Sequence, residues 1–195
     1  MGARCCGMIV FLDFEASSLS KKSYPIEVAW VTESGEAFTS LLRPIRDWTD
    51  WSADAEQIHG LSRERLRDEG QPANEVAHLM VKALKGHDLY ASAPSWDGKW
   101  LSVLLRAAGL PRHALRLRRS DDAFSEGIRR ILGSQAAPGQ VAQLVEEVIR
   151  DTEPAQPAHR ALDDARLELH RWHKARERAR MLAGSHTDDT VRDVR

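Results

Sequence analysis

Residues 11–17 read FLDFEAS, and this stretch decides the fold. It completes a run from Met8 to Phe14 rich in β-branched and aromatic residues, the composition of a buried strand. Side chains of a strand alternate between faces, so Asp13 and Glu15 leave one face together while Phe14 leaves the other. Two carboxylates then share one site at the end of an apolar strand. Like charges held that close are costly unless a cation lies between them, and a hard divalent ion bound by oxygen meets that need. Spacing alone more often means a pair of acids solvated where a strand emerges, so further residues have to decide.

Outward from this strand, Ile26 to Thr32 (IEVAWVT) is a second apolar run, preceded by Tyr24-Pro25 and followed by Ser34-Gly35. Ala37 to Leu42 is a third, ended by Arg43-Pro44. The three predict an antiparallel meander with a tight reversal at Gly35. From Ser62 the pattern becomes helical: a short helix from Ser62 to Arg67, then Ala73 to Leu84 with Val76, Leu79, Met80, Ala83 and Leu84 at helical spacing on one face. Asp88 to Ala93 predicts a strand that feeds a helix from Trp96 to Ala108, stopped by Gly109 and Pro111. Ala114 to Arg118 follows as a short strand, then helices over Ala123 to Leu132 and Gln140 to Arg150. An extended connector over 152–158 leads to a long helix from Ala161 to Met181. The expected class is α/β, a mixed five-stranded sheet, antiparallel in its first three strands and then parallel, flanked by helices.

The chain of 195 residues is of a length that favours one domain. With 42% hydrophobic and 29% charged residues it has the composition of a globular protein and not of a disordered one. Residues 1–7 are expected to form a flexible leader, 8–183 the single domain and 184–195 a disordered tail. Lys plus Arg number 28 against 29 Asp plus Glu, so overall charge cannot hold a nucleic acid and any basic surface must be local. Arg112 to Arg119 is the better stretch for a backbone contact; the basic residues of the last helix are interspersed with Glu168 and Glu177 and read as a solvated face. Cys5 and Cys6 are too few and too close together for a disulfide framework or a thiolate zinc site, which points to a reducing, cytoplasmic setting. The apolar run from Met8 to Leu12 is too short for a signal sequence or a membrane span.

Two further stretches carry acids or histidine. In PSWDGKWL (94–101), Asp97 follows a predicted strand at the start of a helix, where it could equally serve as a helix-start acid. Trp96 and Trp100 could stack on bases, and at least one of them is expected in the core. In HRALDDA (159–165), His159 follows the connector and Asp163 and Asp164 fall in the first turns of the last helix, where the macrodipole alone would favour them. His159 and Asp164 meet only if His159 lies in the loop or the first turn.

The order and type of these residues resemble the DEDDh family of 3′–5′ exonucleases of the ribonuclease H-like superfamily, which includes proofreading exonuclease subunits, oligoribonucleases and RNA 3′-end trimming enzymes. FLDFEAS resembles the first motif, HRALDDA the third, and QIHGLS (57–62) the His-Gly segment between the first and second. The likeness reaches from Met8 to about Trp172. It implies that Asp13, Glu15, Asp97 and Asp164 hold two divalent metal ions, Mg2+ or Mn2+, and that His159 is the general base. By the same likeness Ala16, Ser17 and Ser18 would lie near the terminal nucleotide, with His59 or Leu61 touching it. Asp163 drops out on spacing, and Asp121 and Asp122 lack the strand-to-helix context of Asp97. The second motif departs from the family pattern: Ala93 stands where Asn is usual and Trp96 where Phe is usual.

The implied activity is hydrolysis of single-stranded RNA or DNA from a free 3′ end to nucleoside 5′-monophosphates. Two ions about 3.5–4 Å apart would bridge the phosphate, and an imidazole, with an ordinary pKa near ~6.5, suits removal of a proton from water at neutral pH. The alternative is a catalytically inactive nucleic-acid-binding or scaffold module of the same fold, for which the altered second motif argues. A generic phosphate-binding α/β domain would need a glycine-rich loop after the first strand, and EASSLSKKS has no glycine. Sugar preference, monomer or homodimer, and polymerase association stay open at the sequence level, and no membrane is implied.

Overall fold

The computed structural model describes residues 7–156 and 158–192, with the side chains of residue 135 and of 185–192 left out. Cys5, Cys6 and the expected leader up to residue 6 lie outside the described residues. Strand β1 (Ile9–Ala16) pairs antiparallel with β2 (Pro25–Thr32), and β2 with β3 (Ala37–Arg43). Gly35 makes the β2–β3 reversal at φ 91°, a conformation glycine adopts without steric cost, and its N–H donates to the Thr32 carbonyl at 2.9 Å.

Between β3 and the next long helix the chain forms α1 (Ala53–His59) and α2 (Arg63–Glu69). Ser52 and Ser62 cap them, each accepting a backbone N–H two or three residues into the helix, and Gly60 ends α1 at φ 68°. The sequence reading lacks α1, which has too few residues to set up a periodic apolar face, and starts α2 at its cap. A two-residue strand β4 (Gln71–Pro72) then pairs parallel with β3, too short to leave a sequence pattern, and makes the sheet six-stranded where five strands are expected.

Helix α3 (Ala73–Leu84) leads to β5 (Asp88–Ala91), which lies parallel to β1, and β5 runs into α4 (Pro94–Ala107). Pro94, preset for a first helical position, starts α4 ahead of the expected Trp96. Strand β6 (Leu117–Arg119) pairs parallel with β5 and gives way to α5 (Ser120–Leu132), α6 (Gln140–Asp151) and α7 (Ala161–Arg192). Backbone helix in α7 continues past Met181 and through the tail expected from residue 184, as far as Arg192.

The sheet order is β4-β3-β2-β1-β5-β6, so β1 and β2 are interior and the edges are the two shortest strands. One core lies against α3 and α4: Val10, Leu12 and Phe14 of β1 and Ile26, Val28 and Trp30 of β2 meet Met80, Leu84, Leu101 and Leu104. The other face carries Phe11 and Val31 against Phe124, Ile128, Val145, Ala165 and Trp172 of α5, α6 and α7. Asp13, Glu15 and Glu27 continue this second face toward the carboxyl end of β1. Among the described residues no helix is long and apolar enough to cross a membrane.

Candidate active site

At the end of β1 the aromatic face turns acidic. Asp13, Glu15 and Asp164 each place a carboxylate oxygen within 4.8 Å of the others. Asp13 and Glu15 get there by strand alternation, and Asp164 by lying in the first turn of α7. Asp97 comes from the opposite layer, in the first turn of α4, and is 2% exposed. After burial, its charge is the largest influence on Asp13. The four acids thus close over the strand end from both layers, at the carboxyl edge of the sheet where α/β proteins place their ligands.

Their electrostatics are those of a site short of positive charge. Burial, reinforced by Asp97, Glu15 and Asp164, holds the Asp13 carboxyl well above its ordinary range. Glu15 is pushed up to about 8, by burial first and then by Asp164. Asp97 is pushed up to about 7 by burial, against hydrogen bonds from the backbone at Ala93 and Phe14, and its Oδ2 is buried with no partner. Asp164 is raised by burial, although His159 pulls the other way. Hard oxygen donors, mutual repulsion and an orphaned carboxylate oxygen together fit a divalent cation.

His159 precedes α7 with φ 48°, the positive φ of a non-glycine residue among the described residues. Such a backbone costs about 1–3 kcal/mol and persists where the surroundings enforce it. The next residue, Arg160, accepts the N–H groups of Asp163 and Asp164 at 2.9 and 3.1 Å through its carbonyl, so it begins the helix. An arginine cannot cap with its own side chain. Glu27 of β2, 2% exposed, supplies the missing acceptor: its Oε2 takes the Ala161 N–H at 3.2 Å and Arg160 Nε at 3.0 Å, and its Oε1 takes Arg160 Nη2 at 2.7 Å.

The residues expected around a nucleotide divide. Ala16 and Ser18 are buried at the β1 end and Ser17 is fully buried. The hydroxyls of Ser17, Ser18 and Ser20 donate to Asp50 at 3.0, 2.5 and 2.7 Å, so the first two brace the loop and do not face outward. Leu61 has no exposed surface and belongs to the core against α3 and α4. His59 is 5% exposed; its Nδ1 accepts the Leu61 N–H at 3.0 Å and its buried Nε2 has no partner. Asp163 is exposed, and Asp121 pairs with Arg119 at 2.9 Å on α5.

Beside Asp97, Trp100 is buried and donates to Ser23 at 3.0 Å, whereas Trp96 is 37% exposed and stacks on Trp100 with Lys99 over its ring. Of the Arg112 to Arg119 stretch, Arg118 and Arg119 are taken up by Glu126 and Asp121, leaving Arg112 and Arg116 exposed. On α7, Arg171, Lys174 and Arg178 pair with neighbouring acids, as a solvated or braced face does. Sequence reasoning did not find Glu27, Asp50 or Glu168. Glu27 is signalled by being the one charge inside an eight-residue strand that is buried throughout; Asp50 leaves no signal; Glu168, buried and paired with Arg171 at 2.9 Å, repeats one helical turn after Asp164.

No family model matches the sequence, and no curated protein matches it. Solved structures do match in fold. E. coli exonuclease I, in a zinc-bound complex with single-stranded DNA, superposes with a TM-score of 0.65 at 14% identity over 89% of this chain and 41% of that one. The same enzyme with a dA16 oligonucleotide gives 0.63 at 14% identity over 92% and 43%. Exonuclease I of Methylocaldum szegediense gives 0.62 at 18% identity over 88% and 41%. This chain therefore spans about two-fifths of the length of these neighbours, and over that span it shares their fold.

Proposed function

We propose that the protein is a metal-dependent 3′–5′ exonuclease that shortens single-stranded nucleic acid to nucleoside 5′-monophosphates. The observation that carries this reading is the convergence of Asp13, Glu15 and Asp164 within 4.8 Å, with Asp97, whose Oδ2 is buried without a partner, acting on Asp13 from the opposite layer. Asp13, Glu15, Asp97 and Asp164 would hold two divalent ions, Mg2+ or Mn2+, which when bound supply Lewis-acid activation of water and charge stabilisation at the leaving 3′-oxygen. His159, beside Asp164, takes the proton of the attacking water through its imidazole, a contribution typically worth ~10²–10⁴ in rate. The Ser17–Ser20 loop, which follows β1 and is fastened to Asp50, and the exposed Trp96 indole, next in sequence to Asp97, would orient the terminal nucleotides. Single-stranded DNA in complexes of the fold neighbours supports the substrate class.

The test is incubation with 5′-labelled single-stranded RNA and DNA of one sequence in Mg2+, Mn2+ or EDTA, beside Asp13→Asn. A ladder shortening from the 3′ end, absent in EDTA and in the variant, is expected. Binding without shortening in any metal would overturn the enzyme in favour of an inactive binding module, with Ala93 as the first suspect.

A further inference from the structure

Three of the four hydrogen bonds to the Glu27 carboxylate come from one joint in the chain; the fourth is donated by the Thr39 hydroxyl of β3 at 3.5 Å. Two reach the Arg160 guanidinium and one the Ala161 amide, while the Arg160 carbonyl starts α7 by accepting from Asp163 and Asp164. His159 is the residue just before that joint, and its backbone is in the left-handed region. We propose that Glu27 is a positioning residue for the general base: from β2 it clamps Arg160 and thereby holds His159 in its left-handed conformation beside Asp164. The inference rests on the reading of His159 as that base and adds to it the element that aims it.

The geometry favours this over two other roles. As a ligand for the cations Glu27 would need a free oxygen, but both of its carboxylate oxygens are taken by Arg160 and Ala161, and it does not join the cluster of Asp13, Glu15 and Asp164. As a mere tie between sheet and helix it would need only one bond to α7. A fork to the guanidinium together with an adjacent amide instead fixes both the side chain and the peptide plane of the residue that follows His159, which is what a residue held at positive φ requires.

The experiment compares wild type, Glu27→Gln, His159→Ala and the double variant. With ¹⁵N-histidine labelling, the His159 signals are identified by their loss in His159→Ala. In Glu27→Gln these signals are expected to shift and broaden while those of the remote His78 and His173 do not move. In activity, kcat is expected to fall roughly 10- to 100-fold, the scale of a misplaced reacting group, with KM and Mn2+ affinity unchanged. Adding Glu27→Gln to His159→Ala should lower kcat no further. Unchanged His159 signals, or an equal loss of kcat with and without His159, would overturn the proposal. If Glu27→Gln does not fold, Arg160→Lys keeps the charge pair without the fork, and the same shifts are expected at smaller amplitude. Should wild type degrade no nucleic acid, the exonuclease reading falls, and the His159 signals still decide whether Glu27 sets its conformation.

Discussion

Glu15 and Glu27 face each other across β1 and β2 in direct register, yet of the two Glu27 is the one in an ion pair, with Arg160. Glu27 meets Arg160 at 2.7 Å, while Glu15 is pushed up to about 8 by burial first and then by Asp164. Two glutamates on one sheet face have been given opposite tasks: one is satisfied by the chain and organises it, the other is left short of positive charge at the strand end.

That shortage makes stability depend on pH and metal. Glu15 rises from an ordinary 4.5 to about 8 on folding and Asp97 from 3.8 to about 7. Between their unfolded and folded values the cation-free folded protein holds more protons than the unfolded chain. Stability present at low pH is therefore lost as pH rises through about 7 and 8. In EDTA the melting temperature is expected to fall between about pH 5 and pH 8. Mn2+ should raise it more at pH 8 than at pH 5, because the carboxylates bind a cation when deprotonated. Thermal unfolding by fluorescence at the two pH values checks both; a melting temperature that rises with pH in EDTA would contradict the site's electrostatics.

Ala93 stands at the N-cap of α4 and offers no side-chain acceptor there. Ala93→Asn is expected to stabilise the protein by about 0.5–2 kcal/mol, the ordinary worth of such a cap, measured by urea denaturation. Because Asp97 lies one turn on, the same variant should raise exonuclease activity.

Asp50 gathers three serine hydroxyls, and the Ser17 hydroxyl among them is fully buried and also accepts the Tyr24 N–H at 3.2 Å. Asp50→Ala leaves that donor without an acceptor, a loss of about 1–3 kcal/mol expected in urea unfolding. Loosening the loop should raise KM with kcat little changed.

The Trp96 ring is buried on its Trp100 side and open on another. Trp96→Ala is expected to weaken binding of a single strand by ~1–3 kcal/mol, the range for one base on an aromatic ring. Fluorescence anisotropy with a labelled oligonucleotide in Ca2+ or EDTA measures this, and equal affinity for wild type and variant would remove Trp96 from the substrate path.

Much of this molecule is legible in its residues, for reasons that also mark where legibility stops. Strand alternation put Asp13 and Glu15 on one face, and apolar periodicity located α3, α4 and α7, because those patterns are local. Elements too short to repeat a pattern, α1 and β4, left nothing to find. Past Met181 the polar turns of α7 carry no apolar stripe that would announce them in the sequence. Glu27 could be seen as an oddity inside IEVAWVT, but its partner lies 133 residues away, and only the fold brings Arg160 to it.

One strand, β1, is anchored among aromatic rings at Phe11 and ends among unneutralised acids at Glu15. On the proposed reading, a chelated sample is expected to keep both packed layers and the spectral signature of its tryptophans while losing activity, so a well-behaved chromatogram or near-ultraviolet spectrum would say nothing about competence, and metal content is to be assayed alongside every preparation.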